Sequence, residues 1–252
     1  MWEVILLWIL SEEVAQLIIE GGNEMNYDFR CLKPSIGYEE LAEFIDLPDR
    51  ILKSIWAVSS ICHYNPGSNI LREENPRWAT YLILKGKVDI FQVFINGRRQ
   101  VVLHLGPGEW FNFIPSLKPI GDNCVNVSAS TYVRAAAIED DDFRRLLRQY
   151  PEFAYYFLLN IANQVQQLID LTATLSFLST KARIADFLLK HVDRAGVIEW
   201  TCTQEDIGDR VGTVADVVGR TLRQFVDDGL IDIPSRHCII IKNWKGLENE
   251  IK

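Results

Sequence analysis

The run from Thr203 to Ile231, TQEDIGDRVGTVADVVGRTLRQFVDDGLI, constrains the fold more than any other part of the chain. A short polar segment, Gln204 to Val211, stops at Gly212. A second segment, Val214 to Asp228, leaves through Gly229-Leu230-Ile231 into a strand-like stretch. Ile207, Val211, Val218 and Leu222 fall where two crossing helices would bury them. Gly212 suits the turn between them, because glycine takes positive φ without a Cβ clash. The pattern predicts a helix-turn-helix, a unit that lays its second helix in the DNA major groove with the first turns toward base edges.

Residues Tyr64 to Ile138 have another period. Short β-rich runs (TYLIL, VDIFQVFI, QVVLHL) are separated by Pro66-Gly67, Gly86, Asn96-Gly97 and Gly106-Pro107-Gly108. Asn-Gly between two such runs is a strong hairpin signal, and the Gly-Pro-Gly is a turn. This predicts an antiparallel barrel over 61–139. It is preceded by short helices at Tyr38 to Ile45 and Asp49 to Trp56. Asp140-Asp141-Asp142 opens a helix to Gln149, where acids suit the positive end of the helix dipole. That acidic run and Glu39-Glu40 read as solvated helix starts.

Pro151 to about Leu178 is the longest helical run, with proline harmless in its first turn. Leu158, Ile161, Val165, Leu168, Thr172 and Leu175 recur at intervals of 3, 4, 3, 4 and 3, the a/d seam of a two-stranded coiled coil. A homodimer seam is the reading taken, against the alternative of one face packed on the chain's own barrel. Asn160, Asn163, Gln164 and Gln167 add polar groups that can set register or meet a ligand. Ser179-Thr180 caps a helix over Lys181 to Val192. IDIPSRHCIIIKN reads as a two-stranded wing turning at Pro234-Ser235-Arg236.

Three segments in order, LILKGKVDIF, INGRRQVVLHLGPGEWF and TQEDIGDRVG…GRTLRQFVDDGLI, resemble the Crp/Fnr superfamily of transcription regulators over residues 40–245. The resemblance implies an α+β chain with an antiparallel jelly-roll barrel, a long dimerisation helix and a C-terminal winged helix-turn-helix. The expected boundaries are an N-terminal extension (1–37), a cyclic-nucleotide-binding-like effector domain (38–150), the dimerisation helix (151–178) and the DNA-binding domain (179–252).

The resemblance also assigns residues. Val214-Ala215-Asp216-Val217-Val218-Gly219-Arg220 stands where relatives carry a Ser/Thr-Arg-Glu-Thr-Val-Ser-Arg type run. Arg220 matches the base-reading arginine, able to donate twice to guanine, and Asp216 stands for a glutamate that accepts from cytosine. Taken alone, the two also make an ordinary i,i+4 pair. Ala215 and Gly219 lose side-chain contacts, and Gly219 costs up to ~1 kcal/mol of helix propensity. Gln204, Thr213 and Arg236 are candidate phosphate contacts. In the barrel, relatives that bind cyclic AMP carry Phe-Gly-Glu-Leu and then Arg-Ser. Here the matching residues are Phe111-Asn112-Phe113-Ile114 and Asn123-Cys124, without the glutamate and the arginine. Lys118 on the intervening loop is a point charge with no bidentate fork. Cyclic AMP is therefore not expected. Trp110, Phe111, Asn112, Phe113, Asn123 and Cys124, with Asn163 and Gln167, are read as lining a site for another small-molecule effector. The alternative is that Trp110 and Phe113 plug the space.

Composition limits the remaining choices. The net charge is −8, and residues 201–245 hold six Lys/Arg against seven Asp/Glu, a poor electrostatic footprint for DNA binding. An effector-independent or degenerate member with weak DNA binding, acting through a protein partner, is the competing reading; RNA polymerase is a further expected partner. Cys31, Cys62, Cys124, Cys202 and Cys238 are far apart, form no metal or iron–sulfur cluster, and read as unpaired thiols of a cytoplasmic protein. His63, His104 and Cys62 are the residues that would ligate haem, but an isolated histidine on an alternating strand reads as structural. No metal and no cofactor is called for. No P-loop, GxSxG or HExxH occurs, and the chain does not read as an enzyme. The apolar run WEVILLWIL is too short to span a bilayer. It reads as an amphipathic cap or as a gene-model extension before a start at Met25. The expected partners are a palindromic double-stranded operator and a second copy of the chain.

Overall fold

The computed structural model describes residues 37–72, 79–118, 125–199, 203–235 and 238–251. The N-terminal extension up to residue 36, together with Asn123, Cys124 and Arg236, lies outside them. Two short helices, α1 (Glu39–Ala42) and α2 (Asp49–Ala57), lead into eight strands. These are β1 (Ser59–Tyr64), β2 (Asn69–Leu71), β3 (Ala79–Lys85), β4 (Val88–Val93), β5 (Arg99–Leu105), β6 (Trp110–Phe111), β7 (Asn126–Ala129) and β8 (Val133–Glu139), with the one-turn α3 (Ile114–Leu117) after β6. They form two four-stranded antiparallel sheets, ordered β1-β8-β3-β6 and β2-β7-β4-β5. One apolar core, including Tyr64, Ile83, Ile90, Leu105 and Val127, joins the inner faces of both. The jelly-roll reading therefore holds as two packed sheets. The hairpin between β4 and β5 turns at Asn96-Gly97, where Gly97 has φ 78.

The first sheet is buried on both faces. Alternation along β3 sends Tyr81 and Ile83 into the sandwich core, and Leu82 and Leu84 into a second core against the helices. Along β8, Ala135 and Ala137 face inward and Ala136 and Ile138 face the helices. Such a strand reads as a continuous apolar run, as TYLIL does. The helical layer consists of α2, α4 (Asp140–Gln149) and α5 (Pro151–Phe177). Phe143, Phe153 and Phe157 interlock there edge-on, with the Phe143 and Phe157 centroids 5.0 Å apart.

The acidic helix starts are not simply solvated. Asp140 is buried and accepts the Ser116 hydroxyl, which also meets the Thr80 hydroxyl at 2.7 Å. Glu40 pairs with Arg134 of β8. Glu40 anchors α1 to β8 and Asp140 ties α4 to α3, links that local sequence does not reveal. Cys62 corrects the thiol reading: it is disulfide-bonded, its partner lying outside the described residues, while Cys238 is free. Of the other candidate haem ligands, His63 meets the Tyr132 hydroxyl at 2.6 Å and His104 meets Asp89.

Helix α6 (Thr180–His191) follows, with the Ser179 hydroxyl accepting from the Ala182 amide. Then come β9 (Val197–Glu199), α7 (Gln204–Val211), α8 (Ala215–Asp227), the wing strands β10 (Ile231–Ser235) and β11 (Cys238–Ile241), and α9 (Trp244–Asn249). Strand β9 and α9 go beyond the sequence reading. β9 pairs with β11 to make the wing three-stranded, and Leu247 of α9 closes the core beneath. Among the described residues no helix is long and apolar enough to cross a membrane.

Truncating Phe143 to alanine should cost about 3–5 kcal/mol, because three aromatic neighbours would face a cavity. A denaturant titration of the wild type and Phe143→Ala checks this.

Candidate nucleic-acid interface and effector site

Helix α7 starts with a capping box. The Thr203 hydroxyl accepts from the Asp206 amide at 3.2 Å, and Asp206 accepts from the Thr203 amide at 2.7 Å. The helix ends at Gly212 with φ 72. Gly208 faces the turn so closely that a Cβ would lie 2.9 Å from the Thr213 carbonyl oxygen. Ile207 and Val211 of α7 and Val218, Leu222 and Phe225 of α8 close over Ile184 and Leu188 of α6. This burial turns the other face of α8 outward. Asp216 and Arg220 stand there 3.0 Å apart, both well exposed, with Arg223 one turn on. Val214 is the exposed cap residue of α8, and Ala215 and Thr213 are half-buried beside it.

Gly219 has a reason that the sequence alone does not supply. A Cβ on it would stand 2.6 Å from Oε1 of Gln204, so the bare backbone makes a notch in which the Gln204 amide lies. The two candidates, read separately from sequence, are one feature of the surface.

The unfavourable charge count is also partly resolved. Asp206 is used in the cap, Asp209 faces Arg99 at 3.4 Å, Asp228 lies 3.8 Å from Lys181 and Asp232 lies 3.7 Å from Lys242. Lys181 lies closer to Glu250, at 2.9 Å, and Lys242 belongs to the same count, so of these contacts Arg99 is the one that brings an added cation to the acids.

The cassette region departs from its reading. Trp110 and Phe111 are neighbours on β6 and therefore point to opposite faces. Phe111 stacks on Tyr81 inside the sandwich, with centroids 4.9 Å apart. Trp110 enters the helical layer, 5.7 Å from Phe143 and 5.7 Å from Phe153. Both are fully buried, so they do not line one site together. Asn112 takes φ 58 where relatives have glycine, and its amide donates to the Ala79 carbonyl at 2.7 Å. Phe113 packs edge-on against Phe157 at 5.2 Å. Of the polar residues on α5, Gln164 donates to the Trp110 carbonyl at 2.7 Å, and Asn160 accepts from the Trp110 amide at 3.3 Å. Gln167 reaches Glu109 at 3.5 Å, while Asn163 is exposed. The candidate residues of α5 thus divide: Gln167 meets the turn before the cassette and Asn163 does not.

The seam residues also divide. Leu158, Val165 and Leu168 are 60%, 47% and 38% exposed, and Tyr155, Ile169 and Phe177 continue the same uncovered apolar surface. Thr172 is exposed, with its hydroxyl bonded to the Leu168 carbonyl at 2.8 Å. Ile161 and Leu175 are half-buried, Ile161 against the helical core. The face of α5 that packs on the chain's own sheets carries the buried Phe153 and Phe157.

A joint that the sequence reading missed ties α7 to the strands. Asp89 of β4 accepts from His104 of β5 at 2.6 Å and faces Arg210 of α7 at 3.4 Å. Gln100 of β5 donates to the Asp209 carbonyl at 3.2 Å. Burial alone would raise the Asp89 carboxyl. The hydrogen bond and charge of His104, and then the charge of Arg210, outweigh it and hold Asp89 below its ordinary value. Asp209 goes the other way: burial and the nearby acids Glu205, Asp206 and Asp89 raise it against the pull of Arg99. The Asp89 cluster is therefore the stronger half of the joint. The available signal was a carboxylate inside the apolar run VDIF.

Two family descriptions match the chain: the Cyclic nucleotide-binding domain over residues 61–150 and the Crp-like helix-turn-helix domain over residues 182–250. The chain belongs to the Crp/Fnr family of transcription regulators. A CRP-like cAMP-activated global transcriptional regulator of Mycobacterium tuberculosis is 26% identical over 181 residues, covering 69% of this chain and 80% of the relative. Two solved structures share the fold. The c-di-GMP responsive global regulator CLP of Xanthomonas campestris has a TM-score of 0.71 at 17% identity, over 77% of this chain and 99% of that one. A Crp/Fnr-family regulator from Eubacterium rectale has a TM-score of 0.69 at 21% identity, over 82% and 95%. This Crp/Fnr regulator carries its helix-turn-helix on the joint just described.

Because the folded Asp89 carboxyl titrates below its ordinary 3.8, its contribution is complete above that value and is lost as pH falls through the lower folded one. Asp89→Asn should remove this acid-dependent part of stability. At neutral pH it should also speed amide exchange in residues 204–211 severalfold. Hydrogen exchange with mass-spectrometric readout at pH 7, and thermal melts from pH 7 to 3, check both.

Proposed function

We propose that this Crp/Fnr regulator acts as a homodimer on a palindromic operator in the cytoplasm, with an effector other than cyclic AMP. The observation that carries the reading is the exposed Asp216–Arg220 pair on the outward face of α8. Its burial pattern leaves this face free for a major groove, where an arginine held by a carboxylate one turn away is pre-oriented for guanine. Gln204, in the notch beside it, and Thr213 at the turn are read as phosphate contacts, which position a helix without reading sequence.

The dimer is supported by α5. Its 27 residues span about 40 Å, and Leu158, Val165 and Leu168 are uncovered in the single chain. An apolar stripe of this extent marks an interaction surface. A change to cyclic-AMP-independence is supported by the cassette, where Asn112 and Phe113 stand in place of the glycine and the ribose-binding glutamate. The effector is read as a small molecule coupled to the long helix, which Gln164 and Asn160 attach to the Trp110 backbone.

Fluorescence anisotropy on the chain's own upstream DNA against a scrambled duplex, in a salt series, tests the DNA reading. Arg220→Gln should lose about ten- to hundredfold in affinity for the preferred duplex, with little change on scrambled DNA. Gln204→Ala should weaken both duplexes about equally. Equal binding of the wild type to both duplexes would favour the protein-partner alternative. Cyclic AMP should leave the curves unchanged. Val165→Glu combined with Leu168→Glu should give a monomer in sedimentation velocity and abolish specific binding.

A further inference from the structure

A cavity of about 200 Å³ opens where α5, α6, α7 and β5 meet. This is the volume of about seven waters at ~30 Å³ each, the scale of a benzoate-sized body. Part of its lining is apolar: Leu171 and Leu175 of α5, Phe187 of α6 and Val211 of α7. Three permanent cations line it too, Arg183 and Lys190 of α6 and Arg210 of α7, with His104 and His191. Two carboxylates face them. Asp186 is taken by Lys190 at 2.7 Å, and Asp170 receives the Gln166 amide at 2.9 Å.

Arg183 is the unusual member. It has no carboxylate partner among the described residues. Its guanidinium makes only long contacts: 3.4 Å to the Leu175 carbonyl, 3.2 Å to the Thr180 hydroxyl and 3.4 Å to the Gly212 carbonyl. Its buried Nε makes no hydrogen bond. A buried N–H on a charged group is costly to leave unmade, and an arginine fork matches a carboxylate. Next to it, burial and then the charges of Arg210, His104 and Lys87 lower the His191 imidazole, against the raising bond to the Phe187 carbonyl. Burial is the larger cause there, and the cations add to it in the sense that suits an anion.

We propose that this cavity binds a small organic anion, a carboxylate on an apolar body, with Arg183 as the principal carboxylate partner and Leu171, Leu175 and Phe187 against the body. Such a ligand would act on the joint. Arg183 reaches the Gly212 carbonyl at the helix-turn-helix turn at 3.4 Å, and Arg210 faces Asp89 of the sandwich at 3.4 Å. An anion drawing either guanidinium changes what fixes α7, and so α8, to the strands. Occupancy stands apart from the DNA-binding reading. Only the consequence for α8 rests on it.

Isothermal titration calorimetry of the full chain with sodium benzoate, with sodium phosphate and with ionic-strength-matched sodium chloride tests occupancy without DNA. Benzoate should bind with a Kd of about 1 mM or tighter. Arg183→Gln should weaken it about tenfold, as loss of a charge-assisted bond does. Leu171→Trp, which fills the cavity and keeps every cation, should abolish it. Arg98→Gln, on the exposed β4–β5 turn, should change nothing. No benzoate heat above the chloride control, or wild-type affinity kept in Arg183→Gln and in Leu171→Trp, overturns the site. Phosphate binding as tightly as benzoate overturns the apolar-body requirement. Benzoate bound by the wild type without change in operator affinity overturns the coupling to α8 and leaves the site standing. Failure of DNA binding with benzoate still bound counts against the DNA reading alone.

Discussion

Trp110 is where the sandwich and the helices are fixed to each other. Its side chain sits among Phe143, Phe153 and Phe157, and its backbone is held on both sides by Asn160 and Gln164 of α5. A buried aromatic of this size dominates its neighbourhood through area alone, and the backbone bonds add direction. The chain after α5 continues from this attachment: α6 is capped directly beyond the end of α5, and α7 and α8 pack on α6. The position of α8 therefore depends in part on contacts made far upstream of it. The same attachment shows how a turn next to the cassette can be felt along α5.

The second constraint is electrostatic. Two carboxylates face two arginines across the joint between α7 and the strands, and burial acts on both in the same direction. Asp89 has His104 as well as Arg210, and its partners win; Asp209 has other acids around it, and burial wins. The joint is thus asymmetric, held chiefly from β4. The nearby cavity adds Arg183, which has no carboxylate partner among the described residues. A charge balance this local makes the orientation of α7 sensitive to an added anion, while the apolar core under α7 and α8 is left intact.

Much of the fold was legible because it rests on short-range rules. Helix α7 and its terminating glycine, the caps at Ser179 and Thr203, the Asn96-Gly97 hairpin and the 27-residue helix after Pro151 follow from periodicity and turn chemistry within a few residues. The pairing of Asp216 with Arg220 was legible for the same reason, since the two are one helical turn apart, whereas their reading as base contacts came from the family resemblance. The cassette was less legible. Its residues were read as one lining, but a strand alternates, and the double-sided burial of the first sheet gives Trp110 and Phe111 separate cores. Asp140 and Glu40 looked like solvated acids because their partners, Ser116 and Arg134, are distant in sequence.

By itself, the sequence determined which elements form, where they end and which face of α8 is polar, because backbone sterics and a helical or strand period act locally. Only the tertiary structure decided that Gln204 lies in the notch at Gly219, that Trp110 faces the helices, and that Asp89 reaches Arg210 across 121 residues of chain. Those contacts depend on how two cores stack. No local pattern encodes the side on which a residue of a doubly buried sheet will find its partner.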